Sequence, residues 1–580
     1  MRKAAAFFAF FISLPLFLIA QKHDNIWLMG LGGGNQSPLN DIWGATLFDF
    51  SDIDRPQVIE KQEYPVNFTA TNASICDSAG NLLFYTNGEK VYGPNHEVME
   101  NGTGIAVTNA DGYGYRLSQG AISLPSPGHE NLYLLITVEA NMYITMGWNL
   151  FSHTIDMTAN NGLGTVIEKR NLLVQDSMAW GKISAVKHAN GRDWWFVIPH
   201  DDSNTYCIGL VSSTGIVLKS QNIGYTTIDG VGESLFSSDG SKYVRVDNYN
   251  LLEPSIMMVM DFDRCSGELS NYQVAYLALS PNTFGLGASI SPDSRYLYVN
   301  KITEAYQFDL WAADVFGTQT LVAQNDGFIS NNSVNFFQAN QLGPDGRVYI
   351  QGLNQGFHLH YINFPNRAGN ACQFVQHGIE TPTLVAREIP NFPNYRLGPI
   401  DGSACDTLGF DNHPLCNWRW EQEDTLSPLQ VTFTDLSSYE PATWHWDFGD
   451  GTGSQDTSPV HIYTENGIYH VCLVVSNQYS SDTLCRVLQL GVSATHNAML
   501  QSHIKVAPNP FQERLTISSP QMDSGVFRLY SQMGRILCEK RMIFEVTDID
   551  TGALPPGMYF WEVTGKAGRA KAGKIIKTAR

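Results

Sequence analysis

Apolar and polar residues alternate in short runs through most of the chain, and Gly, Asn, Asp and Pro set the runs off from one another. A turn ending in Asp, Asn or Gly leads into a strand rich in Tyr, Leu, Val and Trp. This unit recurs at residues 77–85, 128–135, 190–197, 239–244, 292–299 and 344–350. Counted at the turn residue, the copies lie 48, 63, 49, 54 and 52 residues apart, the period of β-propeller blades with loop insertions. An Asp-Gly or Asn-Gly pair reaches the φ > 0 geometry of a two-residue hairpin, and the strand that follows packs its apolar side on the neighbouring blade. One blade cannot bury its own faces, whereas a closed ring leaves no exposed sheet edge. The pattern predicts a propeller over residues 22–400 with seven blades, six or eight remaining open. Ile26-Trp27-Leu28-Met29 is placed to complete the last blade.

Alternation continues beyond the repeats. Trp446-Asp447-Phe448-Gly449-Asp450-Gly451 reads as a strand running into a tight turn, with Gly449 and Gly451 supplying backbone freedom and the aromatic residues filling a core. Near the C-terminus, Leu515 and Ile517, then Phe527, Leu529 and Ile536, then residues 558–563 follow the period of half-buried strands. Pro508 and Pro510 stiffen the entry to that segment, and Gly534 and Gly557 sit where tight turns form. The fold class is therefore all-β: propeller, immunoglobulin-like sandwich over 405–492, linker over 493–502, and a small β-sandwich over 503–580. Cleavage of the terminal domain would fall in that linker.

The opposite end differs. Met1-Arg2-Lys3 is a basic start, residues 4–19 are almost free of polar atoms, and Leu18-Ile19-Ala20 offers a small residue before Gln21, so residues 1–20 read as a signal peptide. The apolar run is shorter than the roughly 20 residues of a spanning helix. No uncharged stretch of that length follows, so no transmembrane segment is expected in the mature chain.

Three resemblances sharpen this picture. Val506-Ala507-Pro508-Asn509-Pro510-Phe511, Met533-Gly534-Arg535, Pro556-Gly557-Met558-Tyr559-Phe560 and Lys574-Ile575-Ile576-Lys577, in this order, resemble the type A C-terminal sorting domain of the type IX secretion system. The resemblance implies recognition of the folded domain by the export machinery and release or anchoring of the cargo at the outer cell surface. Residues 443–451, with 459–463 and 467–477, resemble the PKD fold, a spacer and contact module of exported proteins. Residues 80–86, 95–102 and 186–195, closed by Ile389-Pro390-Asn391-Phe392-Pro393-Asn394-Tyr395, resemble surface propellers that precede PKD domains in type IX cargo.

Charge narrows the partners. The formal charge of −20 argues against a nucleic-acid backbone as partner, since phosphate binding needs clustered Lys and Arg. Residues 502–580 nevertheless carry 12 Lys+Arg against 7 Asp+Glu, a net of +5, which suits a surface meeting the export machinery or anionic lipopolysaccharide. The nine cysteines have no zinc-ligand spacing. Pairing is the expectation for an exported chain, with Cys472–Cys485 across a turn and Cys405–Cys416 as a second pair.

Candidate chemistry is sparse. His200 with Asp201 or Asp202, near His188, has the elements of a base and its orienter, but no nucleophile or phosphate motif accompanies them. Asp447 and Asp450 could ligate calcium or cap the turn. Asn67 and Asn101 sit in N-glycan sequons. The triplets at 176–178, 406–408, 424–426 and 482–484 resemble the O-glycosylation motif of bacteria that use this route. Trp194, Trp195, Trp418, Trp420, Trp444 and Trp446 could stack on sugars or fill cores. No catalytic residue, metal or cofactor is expected. The expected function is binding of a glycan, polymer or protein at the propeller funnel or loops. The rival is a polysaccharide hydrolase or lyase, which needs paired acids at the axis.

Overall fold

A computed structural model describes residues 22–31, 44–61, 66–106, 114–141, 144–226, 230–248, 254–277, 286–353, 356–385, 389–422, 429–490, 505–507, 511–518, 525–531, 536–542, 546–552, 554–565 and 568–578. The signal-peptide and linker assignments, and Pro508, Asn509, Pro510 and Gly534, lie outside the described residues. What is described is almost entirely β, with short 3-10 turns such as Gly369–Cys372.

Seven antiparallel sheets of three or four strands follow one another among the described residues up to Val385, with a two-stranded sheet of Ile329–Ser330 and Ser333–Val334 between the sixth and seventh. Sheet 1 is Ile26–Met29, Ala45–Asp49 and Gln57–Lys61, and sheet 2 is Ala73–Cys76, Leu82–Thr86 and Val91–Tyr92. Sheet 3 is Ala121–Pro125, Leu132–Asn141, Ile144–Asp156 and Thr165–Met178; sheet 4 is Ser184–Lys187, Trp194–Pro199, Thr205–Ser212 and Gly215–Asn222. Sheet 5 is Val231–Phe236, Lys242–Asn248, Ser255–Asp263 and Glu268–Leu277. Sheet 6 is Gly287–Ile290, Tyr296–Asn300, Glu304–Asp309 and Thr320–Gln324; sheet 7 is Phe337–Leu342, Val348–Gly352, Gly356–Ile362 and Phe374–Val385. Neighbouring sheets touch, and the seventh touches the first, giving a propeller-like arrangement.

The recurring acid of the repeat has a local role. The carboxylates of Asp77, Asp239, Asp293 and Asp345 each accept the backbone N–H two residues ahead, at 2.9, 3.0, 3.1 and 3.2 Å, fixing the first hairpin of their sheets.

Closure differs from the expectation for residues 26–29. Ile26–Met29 pairs with Ala45–Asp49 and leads sheet 1, because sheet 7 already draws four strands from its own stretch of chain. The two sheets are joined instead by Leu31 N–H donating to Leu384 O at 3.2 Å and by the Thr46 and Thr383 hydroxyls 2.7 Å apart.

The PKD-like module has one sheet of Trp418–Gln422, Gln430–Asp435 and Val460–Ile462, and another of Gly453–Ser454, Thr443–Asp447, Ile468–Ser476 and Ser481–Gln489. Trp446 and Trp418 are fully buried, their rings 5.5 Å apart, and Phe433 lies 5.3 Å from both Trp446 and Phe448. This module is tied to the seven-sheet body. Arg347, in the turn of sheet 7, donates to Asp345 Oδ2 at 2.5 Å and pairs with Glu421; Arg419 holds the same Glu421 at 2.7 Å, and Asn363 donates to its other oxygen at 2.8 Å. Arg486 and the Trp420 N–H both reach Asp54, beyond sheet 1's second strand, at 3.1 and 3.2 Å. Cys405 bonds Cys265 of sheet 5's last hairpin, so the expected Cys405–Cys416 pair does not form and Cys416 is a buried free thiol. Cys472 and Cys485 form a second disulfide.

A C-terminal module follows in the chain. Its sheets are Lys505–Ala507, Arg514–Ser518 and Val546–Asp550, and Ile536–Met542, Gly525–Tyr530, Gly557–Gly565 and Gly568–Lys577. Their inner faces bury Phe511, Leu515, Ile517, Phe527, Leu529, Tyr559, Trp561 and Ile575.

Candidate functional site

The axis of the seven sheets is occupied by the chain itself. After sheet 7, residues 389–396 run across the first strands of the ring. Asn391 N–H donates to Asn72 O at 3.0 Å, and its side-chain amide donates to Ala121 O at 3.0 Å and Ile183 O at 2.9 Å. Asn394 donates to Ser238 O at 2.7 Å, and the Tyr395 hydroxyl to Ser123 O at 2.7 Å. Phe392 and Tyr395 pack on Trp27 and Trp194, and Arg396 grips Asp24 with both guanidinium nitrogens. Two prolines bar this stretch from a ladder, and its asparagines satisfy the carbonyls that strand ends leave open.

The void left beside this segment measures about 10 Å³, about enough for one water. Glu233 lines it, accepting N–H groups of Ala288 at 2.7 Å and Asn340 at 3.3 Å. Burial pushes its carboxyl up to about 8 against those two donors. The folded state then holds a proton between about pH 4.5 and 8 that the unfolded chain has released, so stability falls as pH rises through this window. Glu233→Gln is expected to flatten that part of a stability–pH profile measured by denaturant melts.

A larger cleft of about 460 Å³ opens where the first hairpins of sheets 5, 6 and 7 face the PKD-like module. Its walls are Ser237–Asp239, Pro292–Ser294, Gly343, Pro344 and Gly346 on one side and residues 435–440 with Thr457 and Ser458 on the other, and Asn394 and Arg396 also line it. Tyr439 and Glu440 both take positive φ, 62° and 52°, which turns their backbone into the cleft wall. Gly346 takes φ 75°, a backbone conformation that favours glycine, and a Cβ there would stand 2.6 Å from Leu436 Cδ2, which would have to move aside.

The cleft acids are engaged by their own turns. Asp239 and Asp293 accept Ser237 and Ser291 hydroxyls at 2.5 Å, and Asp435 accepts the Trp444 indole N–H at 2.9 Å. Burial raises the Asp293 and Asp435 carboxyls; burial and then the neighbouring Asp401 raise Glu440. Among the described residues no three His, Cys, Asp or Glu side chains are grouped to hold a metal ion.

Other sequence candidates lie apart. His188 and His200 sit at opposite ends of Trp194–Pro199; His200 Nδ1 meets Asp176 at 3.1 Å, and His188 Nδ1 accepts Asn190 N–H at 3.0 Å. Asp447 and Asp450 accept turn N–H groups at 2.9 Å each, and Asp450 also meets His461 at 2.7 Å. Trp194 and Trp195 are both buried, and Asn67 is buried too. The exposed rings are others: Tyr225 at 72%, Trp311 at 64% and Trp148 at 50%. In the C-terminal module, the Lys577 ammonium is buried and caps Thr551 O at 2.6 Å and Leu554 O at 2.7 Å, while the Tyr559 hydroxyl donates to Pro555 O at 2.5 Å. Gly557 opens the strand containing Tyr559, and Lys574 lies opposite Phe560 in the register.

Two family models match this chain, the PKD domain over residues 418–492 and the secretion system C-terminal sorting domain over residues 505–578. The chain carries a PKD domain and a secretion system C-terminal sorting domain. Its sorting domain directs it to the cell surface or outside the cell. No curated protein matches the chain. Among solved structures, the PKD1 domain of the Vibrio cholerae metalloprotease PrtV is similar at 28% identity, covering 14% of this chain and 98% of that chain, with a TM-score of 0.13. A protein from Lactobacillus plantarum is similar at 12% identity over 63% of this chain and 98% of that chain, TM-score 0.37. PorZ, a surface component of the type IX secretion system of Porphyromonas gingivalis, is similar at 10% identity over 93% of this chain and 69% of that chain, TM-score 0.27. These scores are low, and the fold stands on the sheet order and register above.

Proposed function

We propose that this protein is a cell-surface binding protein of the adhesin or recognition type, delivered through its sorting domain after a signal peptide at residues 1–20. Its ligand, a glycan, polymer or protein, enters the cleft between the hairpins of sheets 5–7 and the Tyr439–Glu440 turn. The observation that carries this reading is the state of the cleft acids: Asp239 and Asp293 are engaged by their own hairpins, Asp435 by Ser437 and Trp444, and Asp24 by Arg396, so Glu440 stands as a single carboxyl and not as one of a pair. A site built this way offers backbone groups and hydroxyls that orient a ligand, and not a matched acid and base. A polysaccharide hydrolase or lyase would need two free carboxyls flanking one bond. Glu233, the axial acid, faces a void with no room for a sugar ring.

The test is an array of glycans and cell-envelope polymers probed with the whole mature chain, followed by mass spectrometry of every hit. Binding with intact ligand is the expected result. Shortened products from any hit would replace recognition with catalysis.

A further inference from the structure

The cleft between the first hairpins of sheets 5, 6 and 7 and the PKD turn carries an unbalanced charge. Among the described residues lining it, Asp24, Asp239, Asp293, Asp435 and Glu440 are acids and Arg396 is a cation, a net of −4. Arg396 is committed to Asp24 through both guanidinium nitrogens, so the other four carboxyls have no counter-charge in the walls. Two guanidiniums act on them from outside and are themselves held: Arg264 by the carbonyls of Lys187 at 2.8 Å and Gly398 at 2.5 Å, and Arg295 by Asp309 at 2.8 Å. Burial keeps the carboxyls of Asp293, Asp435 and Glu440 above their ordinary range, and a cation placed among them would bring them back. Two hydroxyls of the same walls point to a ligand independently. Tyr439, in the PKD turn, is 6% exposed and Ser289, on the first strand of sheet 6, is 2% exposed, and neither hydroxyl has a hydrogen-bond partner among the described residues. A buried hydroxyl in this state carries a desolvation cost that a donor from a ligand offsets. Between these polar groups the walls are apolar, with Leu235, Phe236, Leu342, Leu397 and Leu436 each half-buried.

We infer that the cleft takes a lysine side chain from a segment of a protein partner. This rests on the cleft being the recognition site, as proposed above. An ammonium has three donors and no acceptor, which suits carboxylates and hydroxyl lone pairs, and its four-carbon stem suits walls of leucine and phenylalanine. Arginine fits less well: its fork seeks two parallel acceptors on one carboxylate, whereas Asp239, Asp293 and Asp435 already accept bonds from their own turns. An amino sugar brings the same charge but sets ring hydroxyls against the apolar walls, where they find no partner. The cleft volume of about 460 Å³ admits the side chain with part of its flanking backbone.

The whole mature chain is titrated, at roughly 0.15 M salt to screen long-range attraction, with a labelled Gly-Ser-Lys repeat peptide. The same peptide acetylated at every Nζ, its arginine counterpart and a glucosamine oligomer serve as comparisons. The lysine peptide is expected to bind and the acetylated one not to. Tyr439→Phe and Ser289→Ala are each expected to weaken binding about tenfold without lowering the melting temperature, because each removes a hydroxyl that has no partner. Neither substitution alters charge, so the general pull of a chain of net −20 on a basic peptide is the same in parent and variants. Unchanged affinity in both variants, equal binding of the acetylated peptide, or tighter binding of the arginine peptide or the glucosamine oligomer would overturn the inference. If Ser289→Ala melts early, Tyr439→Phe decides. Hydrogen exchange separates the two levels of the account. Protection of Tyr439–Glu440 by a neutral or acidic polymer but not by the lysine peptide would remove lysine and keep recognition, whereas protection of the cleft by no ligand would remove both.

Discussion

Tyr395→Ala is expected to destabilise the seven-sheet body by roughly 3–5 kcal/mol, the range for removing a large buried aromatic side chain. Tyr395 is fully buried at the axis, packed on His23, Trp194 and Phe392, and its hydroxyl satisfies Ser123 O. The loss exceeds that of a peripheral core residue because the same segment bonds sheets 2, 3, 4 and 5, so loosening it opens the ends of several first strands together. Chemical denaturation of the mature chain measures it. A change under about 1 kcal/mol, the size of an ordinary surface substitution, would mean that the axial segment is dispensable to the ring.

Arg347→Met is the second large effect. The guanidinium lies between Asp345, whose side chain is fully buried, and Glu421 of the PKD domain. Methionine fills much of the volume and leaves the buried Asp345 carboxylate without its cation, while Glu421 keeps Arg419 at 2.7 Å; removing one partner of a buried pair costs about 3–5 kcal/mol. The cost is expected to appear as release of the PKD domain, not as melting of the ring, because Asp345 retains the Tyr349 hydroxyl at 2.7 Å. Limited proteolysis should gain a cut between residues 400 and 418. Replacing Asp345 with Asn in the same chain should recover part of the loss by removing the buried charge left without its cation. If Arg347→Met melts and cleaves like the parent, the pairing does not hold the modules together.

The local architecture was legible in the sequence because each blade is a local device. A turn acid, a φ > 0 residue and an alternating strand are adjacent in the chain, so periodicity alone exposes them. The same holds for Trp446 to Gly451, where strand, turn and core aromatic follow one another. Contacts across long separations carry no such signature: Arg347 and Glu421 are 74 residues apart, and Asn391 bonds a carbonyl 270 residues away. In the sequence, the exit segment at residues 389–395 is marked by resemblance alone. What distinguishes it from a free loop is its two aromatic residues and two asparagines, side chains suited to burial against open carbonyls. Cys405 was matched to Cys416 by nearness in sequence, while the fold brings it within a Cα separation of 5.6 Å of Cys265. Of the tryptophans read as stacking on sugars or filling cores, Trp194 and Trp195 fill cores, Trp418 and Trp446 are buried in the PKD domain, and Trp420 and Trp444 are half-buried. A funnel open along the axis was the natural expectation for a ring of blades, and the chain's own residues 389–396 close it.

Recognition in the cleft between the hairpins and the PKD domain is the claim on which the functional account rests. Hydrogen–deuterium exchange on the mature chain, with and without an array-selected polymer, tests it most directly. The account predicts slowed exchange at Ser237–Asp239, Asp293–Ser294 and Tyr439–Glu440 with the polymer recovered intact. Protection confined to other loops, or a shortened polymer, would contradict it.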